Sequence, residues 1–243
     1  MRIIILADIH GNLAALDAVL DDAKTHGGIG KVWCLGDIVG YGPDPGACIE
    51  TVAALNPVIV AGNHDRGATG KLDPAWFNPE AAMALEWTKK QLRPDQDAWL
   101  DNLPLTREEG DWLLVHGSPL DPLLEYVLSA GIAEKNLERC HSQYCLVGHS
   151  HVPVAHRQEK DGVKPIGLQP GVGLVIGEMR MMVNPGSVGQ PRDGDPRASY
   201  AVLDTEASML RLQRVEYDIS ATQDRMMAVG LPVRLVTRLE QGR

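Results

Sequence analysis

The chain of 243 residues has no excess of positive charge and no long hydrophobic segment. Lysine and arginine number 23 against 32 acidic residues, so the net charge of −9 repels nucleic-acid backbones and anionic membrane surfaces. No apolar run approaches the roughly 18 residues that a membrane helix needs, and too few apolar residues precede Asp8 to form a signal peptide. We therefore expect a cytoplasmic protein that binds neither membranes nor, through charge alone, nucleic acid.

Cysteine is also scarce, because the chain holds four cysteines and no CxxC pair. This density is far below that of a disulfide scaffold, and the spacing of Cys140 and Cys145 around His141 does not suit a structural zinc site. We expect reduced, mostly buried thiols. Internal repeats, low-complexity linkers and shifts in composition are absent as well. Residues 1–243 are therefore predicted to form a single domain with a helical tail at about 219–241.

Short apolar runs alternate with helical segments from the start of the chain. The run at residues 2–7 is typical of a buried strand, and the segment 11–28 has apolar side chains at helical spacing before two glycines. Buried strands are predicted at residues 2–7, 31–35, 57–61, 112–115 and 144–147. The strand-then-helix order indicates a parallel sheet, whereas turn signals from Val152 onward indicate a second, mixed or antiparallel sheet. The fold class is α/β with two sheets.

The helical segments include an amphipathic tail. Further helices are predicted at residues 45–55, 79–92, 95–102 and 132–140. The tail forms two short helices broken at Gly230 and Pro232, with apolar side chains on one side and Arg234 and Arg238 on the other. This pattern is compatible with packing of the helices on the body of the protein and with a dimer contact. A homo-oligomer formed through these helices is therefore one of the two possibilities.

Residues able to bind a metal follow the ends of the predicted strands. They are Asp8, His10, Asp37, Asn63, His64, His116, His149 and His151. Because such strand ends lie side by side in an α/β sheet, we expect these side chains to converge. Oxygen donors mixed with imidazoles suit Mn²⁺, Fe or Zn²⁺ better than Ca²⁺. Two ions need about eight ligations, which the residues can supply if Asp37, alone on its strand end, bridges both ions.

Five segments between residues 8 and 151 resemble, in order, the motifs of the calcineurin-like metallophosphoesterases, and a sixth extends the match to most of the chain. They are DIHGN at 8–12, GD at 36–37, GNHD at 62–65, VHGSP at 115–119, GHSH at 148–151 and NPGSVGQPR at 184–192. The last segment is similar to the small prokaryotic phosphodiesterase branch. The resemblance implies two stacked mixed β-sheets flanked by helices, in a four-layer αββα sandwich.

The resemblance also implies roles for individual residues of these motifs. Asp8, His10, Asp37 and His151 would hold one divalent metal, and Asp37, Asn63, His116 and His149 would hold the other. The ions are expected to be Mn²⁺, with Fe, Zn²⁺, Co²⁺ and Ni²⁺ as alternatives, and a hydroxide bridging them would attack a small phosphodiester or phosphomonoester in line. His64 would contact the phosphate together with Asn63 and assist the leaving group.

The sequence departs from the family pattern after Asp37. Other branches carry an Asp or Ala and then an Arg there, whereas this chain has Gly40 and Tyr41, which disfavours phosphoprotein and dinucleoside polyphosphate substrates. Arg66, Arg192 or Arg197 could clamp the phosphate instead, and we favour Arg192. A dinucleoside polyphosphate hydrolase and a non-catalytic metal-binding scaffold remain alternatives, although the presence of His64 counts against the scaffold.

Other aromatic and histidine residues are given ordinary structural roles. Trp76, Phe77 and Trp87 are predicted to pack in the core, with a lid over the substrate as the alternative. His26, His141 and His156 are predicted to be hydrogen-bonded or solvent-exposed residues rather than ligands.

Overall fold

The computed structural model describes residues 1–243 as eight α-helices and twelve β-strands. The strands are β1 (Arg2–Leu6), β2 (Lys31–Cys34), β3 (Val58–Ile59), β4 (Thr106–Glu109), β5 (Trp112–Val115), β6 (Tyr144–Leu146), β7 (Val154–Glu159), β8 (Gly162–Gly167), β9 (Gly173–Val175), β10 (Met181–Asn184), β11 (Ala198–Asp204) and β12 (Met209–Val215). The helices are α1 (Leu13–Thr25), α2 (Pro45–Ala54), α3 (Asn63–Ala68), α4 (Pro79–Gln91), α5 (Pro94–Asp101), α6 (Ala130–Arg139), α7 (Ile219–Ala228) and α8 (Val233–Gln241). No helix is both long enough and apolar enough to span a membrane.

Two mixed six-stranded sheets form the centre of the fold. The first has the order β3-β2-β1-β11-β12-β9, and the second has the order β4-β5-β6-β10-β7-β8. Pairing is parallel among β1, β2 and β3 and among β5, β6 and β10, and antiparallel elsewhere. The predicted α/β fold with two mixed sheets flanked by helices is confirmed.

The strand β1 shows why its sequence is apolar without interruption. Ile4 and Leu6 belong to the cluster between the first sheet and its helices, whereas Ile3 and Ile5 belong to the cluster between the two sheets. Since successive side chains of a strand point to opposite faces, a strand covered on both faces needs apolar residues at every position.

The assignment of all strands after Val152 to a second sheet is wrong. β7, β8 and β10 do join the second sheet, but β9, β11 and β12 complete the first one, where β11 pairs antiparallel with β1. Turn signals and alternation identify a strand without identifying its partner, which depends on long-range packing. β11 is buried along nearly its whole length, as a strand beside the centre of a sheet must be.

The C-terminal tail packs on the body of the domain. The apolar side of α8, formed by Leu235, Val236 and Leu239, is buried in a cluster that also contains Tyr41 and residues of α4. This is the first of the two interpretations that the amphipathic pattern allowed. The four cysteines are free and buried, and Cys140 and Cys145 belong to the apolar cluster beside α6.

Candidate metal centre

The loops that follow five strands bring the predicted ligands into two adjoining groups. Asp8, His10, Asp37 and His151 form one group, and Asp37, His116 and His149 form the other. Within each group, one ligand atom per residue lies within 4.8 Å of all the others, and every residue is buried. Asn63 joins the second group, because its Oδ1 lies 3.0 Å from Nε2 of His116. All seven predicted ligands therefore converge.

Asp37 connects the two groups through a single oxygen. Its Oδ2 lies 3.5 Å from Nε2 of His10 and 3.4 Å from Nε2 of His116. Its Oδ1 is turned away and accepts a hydrogen bond of 2.8 Å from the main-chain N–H of His64. The carboxylate is thereby oriented so that one oxygen is available to both groups.

The orientation of the imidazoles fits a cation in each group. Three rings have Nδ1 at a main-chain carbonyl: His10 at Val39 (3.1 Å), His116 at Leu35 (2.8 Å) and His151 at Gln190 (2.6 Å). A carbonyl oxygen only accepts, so each Nδ1 carries a proton and each Nε2 is directed into the ligand group, an arrangement typical of metal-ligating histidines.

Several polar atoms at the centre have no hydrogen-bond partner. Nε2 of His10 and Nε2 of His151 face each other at 3.0 Å without a proton to share. Oδ2 of Asp8 and Oδ2 of Asp37 are buried and unpaired. Because buried polar atoms are otherwise nearly always hydrogen-bonded, this donor set fits divalent cations.

Five of the ligands have backbone in the left-handed region. The φ angles are 54° at Asp8, 51° at His10, 53° at Asp37, 63° at His149 and 61° at His151. Residues with a Cβ carry a cost of about 1–3 kcal/mol in such conformations, which cluster at functional sites. These left-handed conformations were not predicted, although the glycines beside each motif signal sharp turns.

Asp65 is a further residue of the site that the sequence analysis did not identify. Its carboxylate accepts main-chain N–H bonds from Asp37 (2.8 Å), Ile38 (2.9 Å), Val39 (3.3 Å) and Gly62 (2.9 Å). It therefore joins the loop after β2 to the start of α3, which positions Asp37 and Asn63 relative to each other. Its place as the last residue of the GNHD motif was the available signal.

The two carboxylates of the centre differ in charge state without a cation. Burial raises the pKa of Asp37, but attraction to His116 and His64 outweighs burial and holds that pKa well below its usual value. The pKa of Asp8 is raised to about 7, mainly by burial. Attraction to His116 lowers this pKa, and repulsion from Asp37 raises it. A bound cation would compete with a proton for the Asp8 carboxylate.

His64 lies beside the ligands and lines a cavity of about 210 Å³ together with Asn63 and His149. Its ring centroid is 4.3 Å from that of Tyr41 and 5.1 Å from that of Phe77. Burial lowers the pKa of His64 to about 4, so the imidazole is neutral at pH 7. Its Nδ1 is buried without a partner, which leaves Nε2 as the nitrogen that can reach a substrate.

The aromatic residues near the cavity differ from the prediction in one case. Trp76 is 68% exposed and lines the cavity, so its assignment to the core is wrong. It lies in a short 3₁₀ helix, Pro74–Trp76, outside the amphipathic segment on which the prediction rested. Phe77 contacts both His64 and the core, and Trp87 packs against the cluster around α8.

The three arginines considered as phosphate clamps have different partners. Arg66 donates to the main-chain carbonyls of Asp101 and Leu103 and so fixes the end of α5. Arg197 forms an ion pair of 2.7 Å with Asp195. The guanidinium of Arg192 lies 5.8 Å from the ring centroid of Tyr41, and its Nε has no partner.

The remaining histidines lie away from the metal centre. His26 and His141 are exposed, as predicted. His156 is buried on β7 with neither ring nitrogen hydrogen-bonded, so the expectation of a satisfied or exposed residue is wrong there.

Comparison with known proteins identifies the family. Residues 1–208 match the calcineurin-like phosphoesterase superfamily domain, and the chain belongs to that superfamily. The crystal structure of a metallophosphoesterase from Sphaerobacter thermophilus superposes with a TM-score of 0.92 at 46% identity, covering 100% of this chain and 99% of the other.

Two curated relatives extend the comparison. An uncharacterised protein of Methanocaldococcus jannaschii is 38% identical over 245 residues, covering 99% of this chain and 98% of the relative. A symmetrical bis(5'-nucleosyl)-tetraphosphatase of Dechloromonas aromatica is 26% identical over 130 residues, covering 47% of this chain and 43% of the relative.

Proposed function

We propose that the protein is a dinuclear metal-dependent phosphoesterase that hydrolyses phosphodiester or phosphomonoester bonds. The observation that carries this proposal is the pair of ligand groups joined by Asp37, with unpaired oxygens and facing imidazoles, next to a cavity lined by His64. Membership of the calcineurin-like phosphoesterase superfamily supports the same reaction class.

We assign one ion to each group. Asp8, His10 and His151 would hold the first, Asn63, His116 and His149 would hold the second, and Asp37 would contact both. We propose Mn²⁺ as the ion, because mixed carboxylate, amide and imidazole donors suit it. When bound, two such ions supply a hydroxide nucleophile near neutral pH and offset the charge of the phosphoryl oxygens during in-line displacement.

The other residues of the cavity orient the substrate and move a proton. Asn63 and His64 line the cavity and would contact the phosphoryl group, and the guanidinium of Arg192 lies 5.8 Å from the ring centroid of Tyr41. The negative charge of a bound phosphoryl group raises the pKa of the His64 imidazole from its low value. The protonated ring can then donate from Nε2 to the leaving oxygen, a role that contributes about 10²–10⁴ in rate.

Hydrolysis of dinucleoside polyphosphates is the second candidate function. The partial similarity to a bis(5'-nucleosyl)-tetraphosphatase favours it, whereas Gly40 and Tyr41 stand where that branch carries other residues. The scaffold alternative is disfavoured, because His64 is present and faces a cavity next to the ligands.

The proposal is tested by turnover of generic phosphoesters. Purified protein loaded with Mn²⁺ should hydrolyse bis-p-nitrophenyl phosphate or p-nitrophenyl phosphate. Absence of turnover with Mn²⁺, Fe²⁺, Co²⁺, Ni²⁺ and Zn²⁺, despite bound metal, would establish the scaffold instead. Dinucleoside polyphosphates assayed in parallel decide between the two hydrolase candidates.

A further inference from the structure

A second cavity adjoins the one at the metal centre. Its volume is about 490 Å³, and it shares Tyr41, Asn78 and Tyr126 with the cavity that His64 lines. The ring of Tyr126 stacks on His149 with a centroid distance of 3.9 Å. The two cavities therefore adjoin each other at these shared residues, and together they are called the groove, which extends from the candidate ligands to the C-terminal helix.

Arginine dominates the charge of this second cavity. Its lining includes Arg192, Arg234, Arg238 and Arg243, and Glu80 is the only acidic side chain among the lining residues. The chain as a whole carries a net charge of −9. A local concentration of positive charge on such a protein attracts anions to one place rather than to the surface in general.

The two half-buried guanidinium groups of the cavity have no carboxylate side chain as a partner. Arg192 is half-buried, and its Nη2 donates a hydrogen bond of 2.9 Å to Oε1 of Gln190. Its Nε has no hydrogen-bond partner. Arg238 is also half-buried, and its Nε donates to the main-chain oxygen of Arg243, the last residue of the sequence. Only Arg234, which is exposed, contacts Glu80, at 3.5 Å.

Half-buried guanidinium groups that lack a carboxylate side chain as a partner are unfavourable in the absence of a ligand. Burial, with repulsion from Arg192 and Arg234, lowers the pKa of Arg238 to about 10. An anion in the cavity would relieve this repulsion and accept the free N–H groups, and phosphate accepts from guanidinium groups with especially good geometry.

The packing of α8 places these arginines at the groove. Leu235, Val236 and Leu239 anchor the helix against Tyr41 and α4. Arg234 and Arg238, one turn apart, line the cavity from this helix. The C-terminal helix therefore forms one wall of the groove.

We propose that Arg192, Arg234, Arg238 and Arg243 form a second phosphate-binding subsite, so that the substrate carries a second phosphate group besides the scissile one. This inference rests on the proposed phosphoesterase function. The scissile phosphoryl group would lie at the metal centre, Tyr41 and Tyr126 would contact the part of the substrate between the two phosphates, and the arginines would bind the distal phosphate.

The test uses ligands that cannot be hydrolysed. Mn²⁺-loaded protein is titrated calorimetrically with alkane bisphosphonates of increasing chain length and with the matching monophosphonates. At the chain length that spans the groove, the bisphosphonate should bind about tenfold tighter or more than the monophosphonate. This advantage should disappear in the double variant Arg234→Gln/Arg238→Gln.

A control variant that also loses two positive charges, but outside the cavity, distinguishes a local subsite from an effect of net charge. Arg107→Gln/Arg139→Gln removes two exposed arginines from β4 and α6 and should keep the full advantage of the bisphosphonate. The subsite is refuted if no chain length shows an advantage, or if both double variants lose it equally.

Turnover of p-nitrophenyl phosphate, measured on the same preparations, distinguishes the two proposals. Turnover without any bisphosphonate advantage refutes the subsite and leaves the phosphoesterase in place. An arginine-dependent bisphosphonate advantage without turnover refutes the phosphoesterase and leaves the anion site in place.

Discussion

The imidazole of His64 packs directly on Gly40. A Cβ at Gly40 would lie 2.4 Å from Nδ1 of His64, and the φ angle of Gly40 is 88°. Glycine is therefore required at this position both by the backbone conformation and by the ring that lies against it. Gly40, at which the sequence departs from the family pattern, thus leaves the space that the His64 ring occupies.

Gly40→Ala should displace the His64 ring and lower kcat by about 10²-fold, because small misplacements of a catalytic group are costly. The matched control is Gly28→Ala, since Gly28 has the same φ of 88° and nothing within 4 Å of an added Cβ. Both variants carry the same backbone strain, and Gly40→Ala should lose more stability in urea unfolding because its Cβ also clashes with the His64 ring. Equal kcat values for the two would show that the contact with His64 has no functional effect.

His64→Ala should lower kcat by about 10²-fold or more while the protein still binds about two metal ions per chain. The reason is that His64 lies beside the ligand groups rather than within them. Steady-state kinetics and elemental analysis check both parts, with His141→Ala as the exposed control. If metal is lost, His64 is a ligand and our assignment is wrong.

Asp37→Asn should weaken both metal ions together. Oδ2 of Asp37 faces both groups, and an amide nitrogen at that position cannot coordinate a cation. Asp8→Asn, which alters one group only, serves as the comparison. Metal titration followed by calorimetry gives the stoichiometry, and loss of only one ion from Asp37→Asn would argue against a shared ligand.

His156→Leu should make the protein less sensitive to acid. Burial lowers the pKa of His156 in the folded state. Below about pH 6.5 the unfolded chain therefore takes up a proton at this residue that the folded chain does not, so stability falls as the pH falls.

The difference in unfolding free energy between the wild type and His156→Leu should change by at most about 1.4 kcal/mol per pH unit below that point. Urea unfolding at pH 5, 6 and 7 provides the measurement, and His141→Leu provides an exposed control. A difference that is independent of pH would show that His156 takes up its proton equally in both states.

The sequence predicted those parts of the fold whose signal is local. The run at residues 2–7 corresponds to β1, and the helix predicted at 132–140 corresponds to α6, displaced because Ser129 caps the helix start. β4 was missed, since its sequence TREE is polar and exposed and gives no apolar signal. The strands after Val152 were found but assigned to the wrong sheet in part, because pairing is not local.

The same distinction applies to the metal centre. The ligand positions could be predicted, because strand ends and motif order place them in one crevice. Two features could not be predicted: the role of Asp65 as an acceptor for four N–H groups, and the position of the α8 arginines in the second cavity. Both depend on contacts between segments far apart in the chain.

The candidate ligands come from loops of both sheets. Asp8 and Asp37 follow strands of the first sheet, whereas His116, His149 and His151 follow strands of the second. Neither half of the sandwich holds all the candidate ligands of either group, so tight binding of a metal ion would require the two halves to be docked. The ions would then act as a late cross-link in folding, and their removal would loosen the seam between the sheets before it loosens either sheet.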